Sequence, residues 1–200
     1  MGEEFDDSGY SLSGRVATFA AETFKADCMK SLISSALVFM MIPALSCSSK
    51  NDLNVNTVQS FDLNRFLGTW CEIARYDHYF ERGMDRVMAE YALREDGMVR
   101  VINSGFKGGR YRSRQAIAKY PRQAGQPGLL RVAFFWRFYS DYRILMLSDD
   151  YSLALISGAS DKYLWIMSRK SQITDDQKEA VLREATARGF DTTKLIWVNQ

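Results

Sequence analysis

The 200 residues carry a formal net charge of +2, 46% hydrophobic side chains, three prolines and three cysteines, which allows one domain of moderate size with a full apolar core plus a leader. The charge is unevenly spread: residues 1–46 hold six acids against three basic side chains, leaving 23 Lys and Arg against 18 Asp and Glu, or +5, in the remainder. That mild excess lacks the clustering of a nucleic-acid binder and argues against that class of partner.

Residues 1–28 are acidic and contain Ser, Ala and Gly with no sustained period, which marks a non-native or removed extension. Met29-Lys30 then opens a secretory leader over 29–46, so Met1 and Met29 are both possible starts. Leu32 to Leu45 is an uncharged run of 14 residues, short of the roughly 20 needed to span a bilayer, and reads as the apolar region of a signal peptide. The sequence Ala44-Leu45-Ser46-Cys47 resembles a bacterial lipobox, with Ala44 where Leu is commoner, and makes Cys47 the candidate lipidation site. An ordinary cleaved signal or an uncleaved anchor would also produce such a run. Residues 47–60 are expected to be a tether and 61–200 the folded domain. With Cys28 removed and Cys47 acylated, Cys71 stands alone and no intramolecular disulfide forms.

From Phe66 onward, short period-two runs are separated by turn residues at roughly ten-residue spacing, the pattern of an all-β meander closed into a barrel. Eight strands are predicted, over 68–76, 87–95, 98–106, 112–120, 129–137, 141–149, 151–158 and 162–169. Turns fall at Asp96-Gly97, Lys107-Gly108-Gly109, Pro127-Gly128, Asp149-Asp150 and Ser160-Asp161. In the second strand Ala89, Tyr91 and Leu93 are expected inward, against Glu90 and Arg94. In the fifth, Leu130, Val132, Phe134, Trp136 and Phe138 form one apolar face while Arg131 and Arg137 mark the other. An eight-stranded barrel either fills its interior with side chains or opens to hold one small ligand. Alternation alone permits both.

After the last strand, Thr174-Asp175-Asp176-Gln177 fits a capping box. The helix it predicts has an apolar stripe of Val181, Leu182 and Ala185, a charged outer face of Lys178, Glu179, Arg183 and Glu184, and Gly189 at its end. Leu195-Ile196-Trp197-Val198 is a further short strand-like run.

Three motifs carry a family resemblance. Leu67-Gly68-Thr69-Trp70, preceded by Phe61-Asp62-Leu63-Asn64-Arg65-Phe66, resembles the Gly-X-Trp signature of the lipocalins. Asp150-Tyr151 matches their second signature, with Asp149 in place of Thr, and Arg169, ending Tyr163-Leu164-Trp165-Ile166-Met167-Ser168-Arg169, matches the third. The strings Gly68-Thr69-Trp70-Cys71-Glu72-Ile73-Ala74-Arg75 and Lys162-Tyr163-Leu164-Trp165-Ile166 resemble the bacterial outer-membrane lipoprotein lipocalins in particular, over about residues 54–200. Cys71 departs from that subfamily, where Tyr is usual. The resemblance implies an all-β fold, an eight-stranded antiparallel up-and-down β-barrel with one C-terminal α-helix packed outside. Trp70 would plug the barrel floor with the Arg169 guanidinium across its face, a contact of about 0.5–2 kcal/mol. Gly68 would let the chain enter where a side chain would collide.

Up-and-down order sets the loops at 77–86, 107–112, 137–141 and 158–162 around the opposite mouth. They carry Arg82, Arg86, Lys107, Arg110, Arg112, Arg137 and Lys162 beside Phe80, Phe106, Phe138 and Tyr139. An apolar lumen under such a rim suits an amphiphile with an acidic head, although scattered surface cations need no ligand to explain them. By inward parity Tyr91, Val132, Phe134 and Trp136 are candidates to touch an acyl chain. Glu72 and Tyr76, on the parity of Trp70, would supply polar groups in the lumen, and Arg110 and Arg112 would meet the head. The resemblance implies a lipid-binding or transport lipoprotein of the outer membrane, anchored through Cys47 on its periplasmic side, taking fatty acids or lysophospholipids, with no cofactor, metal or catalytic residue. Two other readings stay open: an interaction lipoprotein whose barrel is filled and binds nothing, and a lipocalin-type enzyme using Cys71. Against the enzyme, Cys71 alternates with Trp70 and Glu72 and so faces away from the lumen, and the sole histidine, His78, is not placed beside it. Monomer and homodimer are both compatible with the sequence.

Overall fold

The computed structural model describes residues 53–121, 125–133 and 138–200. The leader and Cys47 lie outside them, as do Phe134, Trp136 and Arg137. The described chain runs α1 (Leu63–Phe66), β1 (Gly68–Tyr76), β2 (Met84–Leu93), β3 (Val99–Lys107), β4 (Arg110–Lys119), β5 (Leu129–Ala133), β6 (Ser140–Leu147), β7 (Leu153–Ser157), β8 (Leu164–Ser168), α2 (Asp175–Ala187), a 3-10 turn (Thr192–Lys194) and β9 (Leu195–Trp197). Each strand from β2 to β8 pairs antiparallel with the next, β8 pairs with β1, and β1 returns to β2. The meander thus closes into the expected eight-stranded barrel.

Alternation along the strands sorts side chains into two cores. Inside the barrel lie Trp70, Ala89, Tyr91, Val99, Val101, Ala116, Ala118, Leu130, Val132, Ile144, Ala154, Ile156 and Met167, with Phe66 and Tyr151 at one end. Outside, Ile73, Leu145, Leu153, Leu155, Leu164 and Ile166 form a second cluster with Val181 and Ala185 of α2. The helix begins as expected: Thr174 accepts from the Gln177 amide, whose side chain accepts from the Thr174 amide. Leu93, expected inward, is 51% exposed, because its position is the last of β2, where the strand has run past the packed interior into the turn.

β1 serves two partners along its length. Gly68–Cys71 pair with Tyr91–Met88 of β2, whereas Ala74–Tyr76 pair with Trp197–Leu195 of β9. Between them the register against β8 shifts, from Glu72 to Ala74. That bulge corrects the expectation for Tyr76, since one extra residue inverts the inward parity carried by Trp70 and Glu72. Tyr76 instead joins the outer cluster and donates to the Asp191 carbonyl at 3.0 Å, while the neighbouring Arg75 side chain is buried at 2% exposure.

The tether expected over 47–60 is anchored in its described part. Asn54 N–H donates to the Arg188 carbonyl and Val58 N–H to the Ile144 carbonyl. The Arg188 guanidinium in turn donates to the carbonyls of Asn56 and Leu145, both at 2.7 Å. Residues 53–60 are therefore part of the domain, strapped across the end of α2.

Candidate functional site

At the closed end of the barrel the three sequence motifs meet. The Arg169 guanidinium lies 4.0 Å over the Trp70 ring and donates to the carbonyls of Thr69 (2.9 Å), Arg65 (2.8 Å), Leu67 (2.9 Å) and Tyr151 (3.2 Å). Trp70 Nε1 donates to the Phe66 carbonyl at 2.9 Å. Tyr151 Oη accepts from the Asp62 amide at 2.8 Å, and the Arg65 guanidinium covers its ring at 4.0 Å. Asp150 ties the β6–β7 turn by accepting from the hydroxyls of Ser148 and Ser152. Gly68 sits at φ +95°, and a Cβ there would come within 3.3 Å of Arg169 Nη1. The sealed floor turns the barrel into a one-ended cup.

Above the floor is a narrow cavity of about 40 Å³. Its walls combine Val87, Ala89, Tyr91, Phe80, Trp165 and Met167 with the carboxylates of Glu72 and Glu81. Tyr91 therefore lines the cavity, and its hydroxyl lies 2.6 Å from that of Tyr142. Burial pushes both phenols above their ordinary value. Val132 lies in the interior core without lining this cavity.

Glu72 is the centre of a buried ionic cluster. Arg75 Nη1 donates to Glu72 Oε1 at 2.7 Å, and Arg75 Nη2 to the Glu81 carbonyl at 2.8 Å. The Glu81 carboxylate accepts from Trp165 Nε1 at 3.3 Å. His78 Nε2 lies 3.0 Å from it, off the hydrogen-bond axis, so both ring nitrogens lack an aligned partner among the described residues. Burial is the main cause pushing the Glu72 carboxyl well above 4.5, the charge on Glu81 adds to it, and Arg75 opposes both. Neither Arg75 nor Glu81 was marked in the sequence. Arg75 turns in only because of the bulge, and Glu81 belongs to a loop, where no period exists to read.

The rim is mixed. Arg82 is held by Asp77 at 2.8 Å, and Arg86 stacks 4.0 Å over Phe106. Arg110 and Arg112 are exposed on β4. Cys71 lies against the outer cluster, and burial raises its thiol pKa, the opposite of what an activated thiolate requires.

The chain matches the family model described as a lipocalin-like domain over residues 61–200. It is 43% identical to the outer membrane lipoprotein Blc of Escherichia coli (strain K12) over 171 residues, covering 84% of this chain and 96% of that protein. It is 29% identical to temperature-induced lipocalin-1 of Arabidopsis thaliana, over 74% of this chain and 83% of the relative. Among solved structures, insecticyanin from the tobacco hornworm Manduca sexta superposes with a TM-score of 0.62 at 23% identity, over 74% of this chain and 85% of that one, a likeness of fold. Signature residues joined at a sealed floor, a closed eight-stranded ring with one outer helix, and the family match over 61–200 together place this chain in the lipocalin family.

Proposed function

We propose that this protein is a lipid-binding lipoprotein of the bacterial outer membrane, held through an acylated Cys47 on the periplasmic side, that takes an acyl chain into its barrel for storage or transfer of membrane lipid. The observation that carries the reading is the cup itself: a floor sealed by Trp70 and Arg169 beneath a largely apolar cavity. Tyr91 and Val132, both in the interior core, meet the chain, joined by Phe134 and Trp136, which lie outside the described residues and rest on the sequence alternation alone. Glu72 supplies the polar contact within the lumen, and Arg110 and Arg112 meet an acidic head, as in a fatty acid or lysophospholipid. The names of the bacterial relatives support the location. No covalent chemistry is assigned, since Cys71 faces the outer cluster rather than the cavity.

The narrowness of the cavity, about 40 Å³, favours a second reading, a filled barrel that binds no ligand. Drug-sized ligands occupy pockets of roughly 300–1,000 Å³, so chain entry requires the cavity to widen. Titrating the lipid-stripped chain with a naturally fluorescent fatty acid separates the two. Saturable one-site binding is expected; an unchanged signal would leave the filled barrel.

A further inference from the structure

The β3–β4 hairpin carries a row of cations on its lumen parity. Its register is unbroken from Val99 opposite Ala118 to Lys107 opposite Arg110, and Val99, Val101, Ala116 and Ala118 belong to the interior core. Strand alternation therefore gives Lys107, Arg110, Arg112 and Arg114 the same parity, while Phe106 and Tyr111, with ring centroids 5.6 Å apart, share the other. All four cations are exposed. Among the described residues no carboxylate forms an ion pair with any of them, whereas Arg82 and Arg86 beside the same mouth each lie within 4.0 Å of one. Arg114 stands opposite Asn103, which lines the cavity, so the row runs from the cavity edge to the mouth.

We propose that this row is a headgroup subsite for an amphiphile bearing a phosphate monoester; the inference rests on the lumen-binding reading above. Arg110, Arg112 and Arg114 alternate along one face of β4, about 6.7 Å apart, and Lys107 lies across the ladder from Arg110, so an anion among them meets several positive charges at once. A carboxylate is saturated by one bidentate guanidinium. A phosphate monoester offers three acceptor oxygens and about −1.5 to −2 charge, enough to engage two or three members of the row together. The cavity beyond the row is largely apolar, which leaves the acyl chain as the part that enters.

The test is competition by dodecyl phosphate, dodecanoate and dodecanol against a fluorescent probe bound to the lipid-stripped full chain. Dodecyl phosphate is expected to bind about tenfold more tightly than dodecanoate, with the advantage shrinking in salt. The double variant Lys107→Gln, Arg114→Gln, at two exposed positions that the fold does not need, should weaken dodecyl phosphate about tenfold and dodecanol by less than about twofold, since dodecanol offers these cations no charge. Equal affinity for the phosphate and the carboxylate, or equal losses for dodecyl phosphate and dodecanol in the variant, overturns the subsite while the lumen reading stands. Failure of all three to bind overturns both. Displacement of dodecyl phosphate by the same concentration of inorganic phosphate assigns the row to the free anion and overturns the amphiphile.

Discussion

Arg169 gathers carbonyl oxygens from Arg65, Leu67, Thr69 and Tyr151, which joins α1, the start of β1 and the turn before β7, and lays its plane on Trp70. A lysine has neither the fork nor the plane, so Arg169→Lys should lower the urea midpoint nearly as far as Arg169→Ala. Trp70→Ala removes a fully buried aromatic and should cost about 3–5 kcal/mol; a variant as stable as the parent would show that the floor does not depend on the indole. The pH behaviour of Glu72 follows from its surroundings. Its folded pKa lies above the ordinary 4.5, so its contribution to stability is full below that pH and is lost as pH rises toward the folded value. Glu81→Gln removes the repulsion that is second among the causes. Urea unfolding across a pH series should then show a shallower loss of stability above about 4.5 than in the parent, and an unchanged slope would contradict the coupling.

The bulge in β1 decides more than one side chain. It turns Arg75 toward Glu72 and Glu81, and it sends Tyr76 toward the end of α2 and the 3-10 turn, where its phenol is pushed up to about 12, mainly by burial. Tyr76→Phe deletes one neutral hydrogen bond to the Asp191 carbonyl and should cost about 0.5–1.5 kcal/mol in chemical denaturation. Lipid affinity should not change, because the ring lies outside the barrel wall; a loss of affinity would put Tyr76 back on the ligand side. β9 is placed by the same event. It pairs with the part of β1 beyond the bulge, and the Gln200 side chain just past it donates to the carbonyls of Glu72 and Val87, bridging the two strands where their own pairing stops.

The described domain is a cup with a sealed floor, a strap over 53–60 and a set of cations on the β3–β4 hairpin. Burial of each methylene is worth about 0.8 kcal/mol, so affinity for saturated fatty acids should rise with chain length until the cavity is full, as read by probe displacement; length-independent binding would favour the filled barrel. Cys47→Ala should move the protein from the detergent fraction to the soluble extract with an unchanged circular dichroism spectrum, because the anchor precedes every element of the barrel. Continued membrane association would remove acylation as the cause of attachment.

Strand number, turn positions, the capped helix and the floor motif were all legible in the chain. Alternation, Gly-containing turns and the Thr174–Gln177 box are local signals, written within a few residues of where they act. The same local signals put Ala89, Tyr91, Leu130 and Val132 on the correct face. The ionic cluster was not legible, since Arg75 enters it through a register shift against β8 and Glu81 through a loop that folds over the mouth. The partner of β9, the docking of 53–60 on Arg188 and the absence, among the described residues, of carboxylate partners for Lys107, Arg110, Arg112 and Arg114 likewise depend on segments far apart in sequence. Parity is a property of one strand, but where that strand slips, and which charges then face each other, is settled by the strands packed beside it.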